Sequence, residues 1–232
     1  SFGNRTEGGG RQGFLIRSIR ADQDWYPGIP FLPWAEISAG KTLTVHPGVI
    51  LKPGGWLKVY GTFIAAGTEQ KPIFMTSIHD DSLGGDTNGN GGATTPNPAD
   101  YDGIYVYPGG SAALRHVRLR YGGRPPRPYV GTYGVIKNMG GSVTLDRSRI
   151  ERNLWGYGAW QGNGNNVITQ SSIQENNVSG VFSASGTSPV SAKNNWWGTS
   201  TGPYHPTLNP TGAGNSVSDH VGFIPWLMGD PN

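Results

Sequence analysis

The segment Asp86-Thr-Asn88-Gly-Asn90-Gly91 has the spacing of a cation loop: side chains bearing oxygen alternate, and a glycine follows where the chain must turn sharply. The match to the helix-flanked version of that loop stops there. Position twelve is Asn97 rather than Glu, and Pro96 and Pro98 exclude a helix after it. A bidentate carboxylate must come from elsewhere, and Asp80, Asp81, Asp100 and Asp102 lie in the same polar stretch. Carboxylates crowded in this way repel one another without a counter-ion. The expectation is a structural Ca²⁺ held by Asp86, Asn88, Asn90, Asp80, Asp81, Asp100 and Asp102. The competing reading is a solvated Asn/Gly turn.

A second set has the chemistry to meet an acidic sugar. Arg124, Arg127, Tyr129 and Tyr133 sit in a Pro/Gly-rich stretch, residues 122–133, that supplies cations and aromatic faces together. Catalysis has less support. A lyase needs a cationic base beside carboxylates on one strand face; Arg115, Arg118, Arg120 and Arg149 are the conceivable bases, away from the acidic stretch in sequence. A hydrolase needs paired acids across the scissile bond, and Asp80-Asp81 is the only adjacent pair. No G-x-S-x-G elbow occurs, and the histidines at 46, 79, 116, 205 and 220 lack metal-ligand spacing. No catalytic residue is assigned.

Composition narrows the class. The 38 Gly and 18 Pro of the 232 residues approach a disorder-prone level, but 8 Trp, 10 Tyr and 7 Phe demand burial. The glycines therefore belong to turns of an ordered fold. Only 14% of residues are charged, below the usual ~25%, which suits an extracellular or cell-surface setting. The net charge of +3 is dispersed, so nucleic-acid binding has little support. No run is apolar enough to span a membrane, and Ser1-Phe2-Gly3 reads as mid-protein sequence.

The elements that must position these residues follow from a repeat. Leu114, Leu145 and Ile168 each precede a second apolar residue, Leu119, Ile150 and Ile173, at the same distance, and Gly122, Asn153 and Asn176 follow. Val190 continues the first column. Gly103-Ile-Tyr-Val-Tyr107, Gly134-Val-Ile136, Gly156-Tyr-Gly-Ala159 and Gly180-Val-Phe182 form a further column. Coils of about 22–24 residues lie in the range of stacked solenoid repeats, and one coil is long enough to connect parallel strands. Stacking sets Arg115 beside Asp146, Arg120 beside Glu151 and Arg152 beside Glu175, three pairs that favour this register. Asn153 and Asn176, with Gly122 and Gly198 as equivalents, fall at turns where left-handed backbone is tolerated.

Coils start at Thr42. Residues 1–40, with Trp25-Tyr-Pro-Gly-Ile-Pro-Phe-Leu-Pro-Trp34, read as an aromatic, Pro-rich cap or an aromatic ligand surface. Residues 41–198 are the solenoid, with insertions at 76–102 and 122–133, and 199–232 form the C-terminal cap.

Asn194-Asn-Trp-Trp-Gly198 with Gly202-Pro203, Asp219 and Pro225-Trp-Leu227 resembles the ending of secreted bacterial and archaeal right-handed parallel β-helix proteins. Gly48-Val-Ile-Leu-Lys52, Gly61-Thr62, Ala66-Gly-Thr68 and Lys71-Pro-Ile-Phe-Met-Thr-Ser77 resemble their early coils. The resemblance, over residues 40–227, implies an all-β right-handed parallel β-helix. Its group contains adhesins and surface modules as well as polysaccharide lyases and hydrolases. The expectation is a non-catalytic structural or adhesive module of a surface or filament protein, ordered by Ca²⁺, whose partners are further copies or neighbouring domains. The alternative is a polysaccharide-binding or polysaccharide-cleaving domain.

Overall fold

The computed structural model describes residues 12–125, 133–162, 164–184 and 186–231. β1 (Phe14–Ile19), β2 (Gln23–Trp25) and β3 (Phe31–Ile37) open the chain. Three strands per coil then follow: β4 (Thr42–Val45), β5 (Ile50–Leu51) and β6 (Trp56–Val59), then β7 (Thr62–Ala66), β8 (Ile73–Met75) and β9 (Gly103–Val106). The next coil holds β10 (Ser111–Arg115), β11 (Val117–Arg120) and β12 (Ile136–Asn138). After it come β13 (Ser142–Asp146), β14 (Arg149–Glu151) and β15 (Trp155–Ala159), then β16 (Asn166–Thr169), β17 (Ser172–Gln174) and β18 (Ser179–Ser183). β19 (Val190–Ser191) and β20 (Val221–Gly222) finish the stack.

Every named strand pairing is parallel and joins a strand to its copy one coil away. The first column runs β2-β4-β7-β10-β13-β16-β19-β20. The second runs β5-β8-β11-β14-β17 and the third β6-β9-β12-β15-β18. β3 is long enough to pair with β5 through Phe31 and with β6 through Ala35–Ile37, so it joins the second and third columns. The chain is thus the all-β parallel β-helix expected from its repeat.

Alternation builds the interior. Leu43, Phe63, Leu114, Leu145 and Ile168 point inward from the first column, Met75, Leu119, Ile150 and Ile173 from the second, and Val59, Ile104, Ile136 and Val181 from the third. At ~1.5–3 kcal/mol for each fully buried aliphatic side chain, these columns outweigh any surface ion pair at ~0.2–1 kcal/mol.

Register matches most of the expected ladder. Leu114 faces Leu145 and Leu145 faces Ile168; Leu119 faces Ile150 and Ile150 faces Ile173. Val190 does not follow: Val167 faces Ser191, which puts Val190 beside Asn166. Arg115–Asp146 (3.5 Å) and Arg152–Glu175 (2.8 Å) are ion pairs. Arg120 does face Glu151 in register but pairs with Asp80 instead, at 2.8 Å. The coils also begin before Thr42, because β2 pairs with β4 and β3 with β6, with β1 laid over β3.

The corners explain how three short strands close a coil. His116, Arg147 and Gln170 occupy one corner with positive φ (48°, 44° and 50°), and Tyr121, Arg152 and Glu175 the next (65°, 55° and 54°). Such backbone costs about 1–2 kcal/mol per residue and persists where surrounding bonds hold it. At the first corner Val117 N–H donates to Ser148 Oγ, Ser148 N–H to Ser171 Oγ and Ser171 N–H to Asn195 Oδ1. At the second, Gly122 N–H donates to Asn153 Oδ1, Asn153 N–H to Asn176 Oδ1 and Asn176 N–H to Asn215 Oδ1. Asn215, from the C-terminal segment, holds the place expected for Gly198. Gly198 lies instead against Gln174 with φ of 94°. Gly122 is there for space: a Cβ would come within 2.6 Å of Tyr101 and Val135.

Candidate functional site

The 76–102 insertion leaves the corner between the second and third columns. Lys52 and Arg120 supply its cations. Lys52 Nζ donates to Thr87 Oγ1 (2.6 Å) and the Gly85 carbonyl (3.0 Å). Burial pushes the Lys52 amine down, against the upward pull of Asp80, Asp81 and Asp86. Asp80 is buried and accepts from Thr76 (2.6 Å), Ser82 (2.5 Å) and Arg120 (2.8 Å). Burial alone would raise its pKa, but the Ser82 and Thr76 hydroxyls and the Arg120 guanidinium together hold it below the ordinary carboxylate value. Tyr101 is buried beneath the insertion, with its hydroxyl donated to the Met75 carbonyl.

The seven residues expected to hold Ca²⁺ are not brought to one centre. Asp86 accepts the backbone N–H groups of Gly89 (2.8 Å), Asn90 (3.1 Å) and Gly91 (2.6 Å), and these hold its carboxyl below the usual range. Asp100 accepts from Ser77 (2.5 Å) and the Asn97 N–H (2.9 Å). Asn90 binds Thr94 and its own turn. Asp102 lies at the end of the insertion, where its carbonyl accepts from Lys137. Asp81 Oδ1 and Asn88 Oδ1 are buried acceptors without a hydrogen-bond donor. Ca²⁺ takes about six to eight oxygens, and among the described residues no three His, Cys, Asp or Glu side chains converge. The arrangement does not fit a closed calcium sphere.

The sugar-facing set divides. Arg124 donates through Nε to the Ala99 carbonyl (3.0 Å) and through Nη2 to that of Asp100, clamping the end of the insertion. Tyr133 stacks on Trp155 at 4.7 Å between ring centroids. Arg127 and Tyr129 lie outside the described residues.

Tyr133 leads to a larger feature, the outward face of the third column. Strand alternation that sends Leu57, Val59, Ile104 and Val106 inward sends Trp56, Lys58, Tyr60, Tyr105 and Tyr107 outward, half-buried. Trp34 and Trp56 meet edge to face at 6.4 Å, and Tyr60 stacks on Tyr107 at 4.6 Å. Further along, Tyr133 packs on Trp160 (5.5 Å), which stacks on Phe182 (4.6 Å). Cations are interleaved: Arg17 over Trp34 at 5.4 Å, Lys58 over Trp56 at 4.3 Å and Lys137 over Tyr105 at 4.5 Å.

Register stacks these outward positions in one column. Glu36, Lys58, Tyr105, Lys137, Gly158 and Phe182 face one another coil by coil, each step ~4.8 Å. Lys137 is the unusual member. It is fully buried, its ammonium is donated to the Asp102 carbonyl, and burial pushes its pKa down to about 7, with Asp102 opposing and Arg124 adding. Sequence reasoning finds the third column but misses its outward side. The signal is the period-two spacing of Trp56, Lys58 and Tyr60, and of Tyr105 and Tyr107.

Apolar ring faces beside cations match the two sides of a sugar ring: its C–H face stacks, and its hydroxyl and carboxylate edge accepts hydrogen bonds. Among the described residues no helix is long and apolar enough to cross a membrane. The family model of the right-handed β-helix region matches residues 83–205. No curated protein and no solved structure matches the chain.

Proposed function

The chain belongs to the right-handed β-helix family, and on that premise we propose that it is a non-catalytic, extracellular adhesive module that binds polysaccharide along the outward face of its third column. One observation carries the reading: the aromatic face with Trp34, Trp56, Tyr60, Tyr107, Trp160 and Phe182, and with cations set over Trp34 and Trp56. An extended ligand suits this face, because rings recur along it on stacked coils, Trp34 and Trp56 at one end and Trp160 and Phe182 at the other. Rings already packed on one another lose little freedom when a ligand docks.

Tryptophan fluorescence tests it. Titration with neutral and uronate-containing polysaccharides is expected to give a saturable change, and Trp56→Ala or Trp160→Ala to weaken binding about tenfold, the loss of one stacked ring. Absence of a change with every polymer, confirmed by unretarded migration in affinity gels, overturns the reading. Release of reducing ends or a rise in absorbance from unsaturated products would replace binding by cleavage.

A further inference from the structure

A second surface, at the corner between the first and second columns, carries chemistry that the aromatic face does not use. It is a cleft lined by His116, Arg118, Arg147, Arg149, Glu69 and Pro231, among others. Arg118 and Arg149 face each other in the parallel pair β11–β14. Two guanidinium groups therefore leave one sheet face a single strand spacing apart, ~4.8 Å, a like-charge juxtaposition that works against register. Arg147 adds a third cation from the corner itself.

The carboxylates within reach are distributed unevenly. Asp146 engages Arg147 at 2.6 Å and Arg115 at 3.5 Å. Glu151 approaches Arg149 at 3.5 Å. Arg149 also pairs with Asp230 Oδ2, from a segment remote in sequence, at 2.7 Å. Arg118 stacks on Phe74 at 5.6 Å and has no carboxylate at ion-pair distance among the described residues. Burial first, then the charges of Arg115 and Arg147, push the His116 imidazole below its ordinary value, although Asp146 and Glu69 pull the other way. Arg118 is thus the cation of the cleft whose charge no ion pair offsets among the described residues.

We propose that this cleft is an anion-binding site for a carboxylate or sulfate group of an acidic polymer, and that Asp230 occupies it as an internal substitute for that group. The strand geometry that forces Arg118 beside Arg149 creates the demand for an anion. Planar guanidinium groups on neighbouring strands suit a two-oxygen anion, since each presents a fork of donors. Asp230 meets part of the demand at Arg149. It lies in a segment without strand structure, near exposed Met228, and its contact is the element that an external anion displaces. The inference does not depend on the third-column face, and either can fail alone.

The experiment is calorimetric titration at low salt of the wild type, Asp230→Ala, Asp230→Asn and Arg118→Gln, with thermal unfolding as the check on folding. The probes are oligogalacturonate, dextran sulfate and neutral dextran. Removal of the internal anion is expected to tighten oligogalacturonate or dextran sulfate binding about tenfold, and Arg118→Gln to weaken it by a similar factor, the scale of one charged hydrogen bond. The preferred polymer assigns the source as carboxylate or sulfate. Equal affinity in the wild type and both Asp230 variants overturns the displacement. Unchanged affinity in Arg118→Gln, or equal binding of neutral dextran, overturns the anion site. Asp230→Asn keeps the shape of that segment, so a folding failure of the alanine variant leaves the test intact.

Discussion

Asn176 Oδ1 accepts two bonds from Asn153 one coil away, from its backbone N–H (3.2 Å) and its side-chain amide (3.0 Å). Asn176 in turn donates to the Ile150 carbonyl and to Asn215. Both Asn153 and Asn176 are buried, so donors and acceptors left open by their removal have no water to turn to. A buried unsatisfied group costs about 1–3 kcal/mol. Asn176→Ala is expected to destabilise by about 2–4 kcal/mol in urea unfolding, whereas Asn177→Ala, at an exposed neighbour, should stay within about 0.5 kcal/mol. Similar midpoints for the two variants would show that the ladder is incidental to the corner.

Asp80 and Arg120 tie the 76–102 insertion to the second column at side-chain exposures of 4% and 15%. Removing one partner of a buried pair leaves a charge without compensation and costs about 3–5 kcal/mol. Asp80→Asn should therefore lower the unfolding midpoint and open the insertion to limited proteolysis between Thr76 and Asp102. The pH dependence has a definite sign. The folded pKa of Asp80 lies below its unfolded value of 3.8, so its contribution is present above that pH and is lost as pH falls through the folded value. The wild type should lose stability across this acid window and Asp80→Asn should lose less. Parallel acid profiles would contradict it.

The interior of this fold was legible in the sequence because period-two alternation and coil repetition act on the same residues: Leu114, Leu145 and Ile168, then Leu119, Ile150 and Ile173. Arg115–Asp146 and Arg152–Glu175 were legible for a similar reason, since cross-strand neighbours are fixed once the register is fixed. Val190 was misplaced because a slip of two residues keeps the same facing, and Ala192 satisfies the apolar pattern equally well. Arg120 was assigned to Glu151 by register, but a buried acid from the distant insertion, Asp80, outcompetes it. His116, Arg147 and Gln170 share a backbone conformation without sharing a residue type, so no compositional cue marks that corner. Lys137 in a short strand reads as a solvated side chain. Its burial comes from Tyr105 and the end of the insertion, which only tertiary packing brings together.

The Asp86 turn gives the next prediction. Three backbone N–H groups already bind its carboxylate, and Lys52 and Arg120 place positive charge beside the acidic insertion. Calorimetric melting in excess chelator and in excess Ca²⁺ is expected to give the same midpoint. A rise with Ca²⁺, abolished in Asp81→Asn, would show that the open acceptors Asp81 Oδ1 and Asn88 Oδ1 do recruit a cation and that the loop rearranges to complete its sphere.

Lys137 gives the last. Its amine is fully buried over the Tyr105 ring, with the Asp102 carbonyl as acceptor. Burial lowers its pKa from 10.5 to about 7. Between these two values the unfolded chain binds a proton that the folded chain does not, so stability rises with pH across that window. The contribution is complete above the unfolded value and is lost as pH falls through about 7. Its steepest slope is about 1.4 kcal/mol per pH unit. Lys137→Met keeps the apolar stem and removes the titration. Urea unfolding at intervals from pH 6 to pH 10 should therefore show the wild type gaining on the variant as pH rises, with most of the gain above neutrality. A constant difference would mean that the amine remains protonated in the folded protein, held by the Tyr105 ring and the Asp102 carbonyl strongly enough to offset its burial.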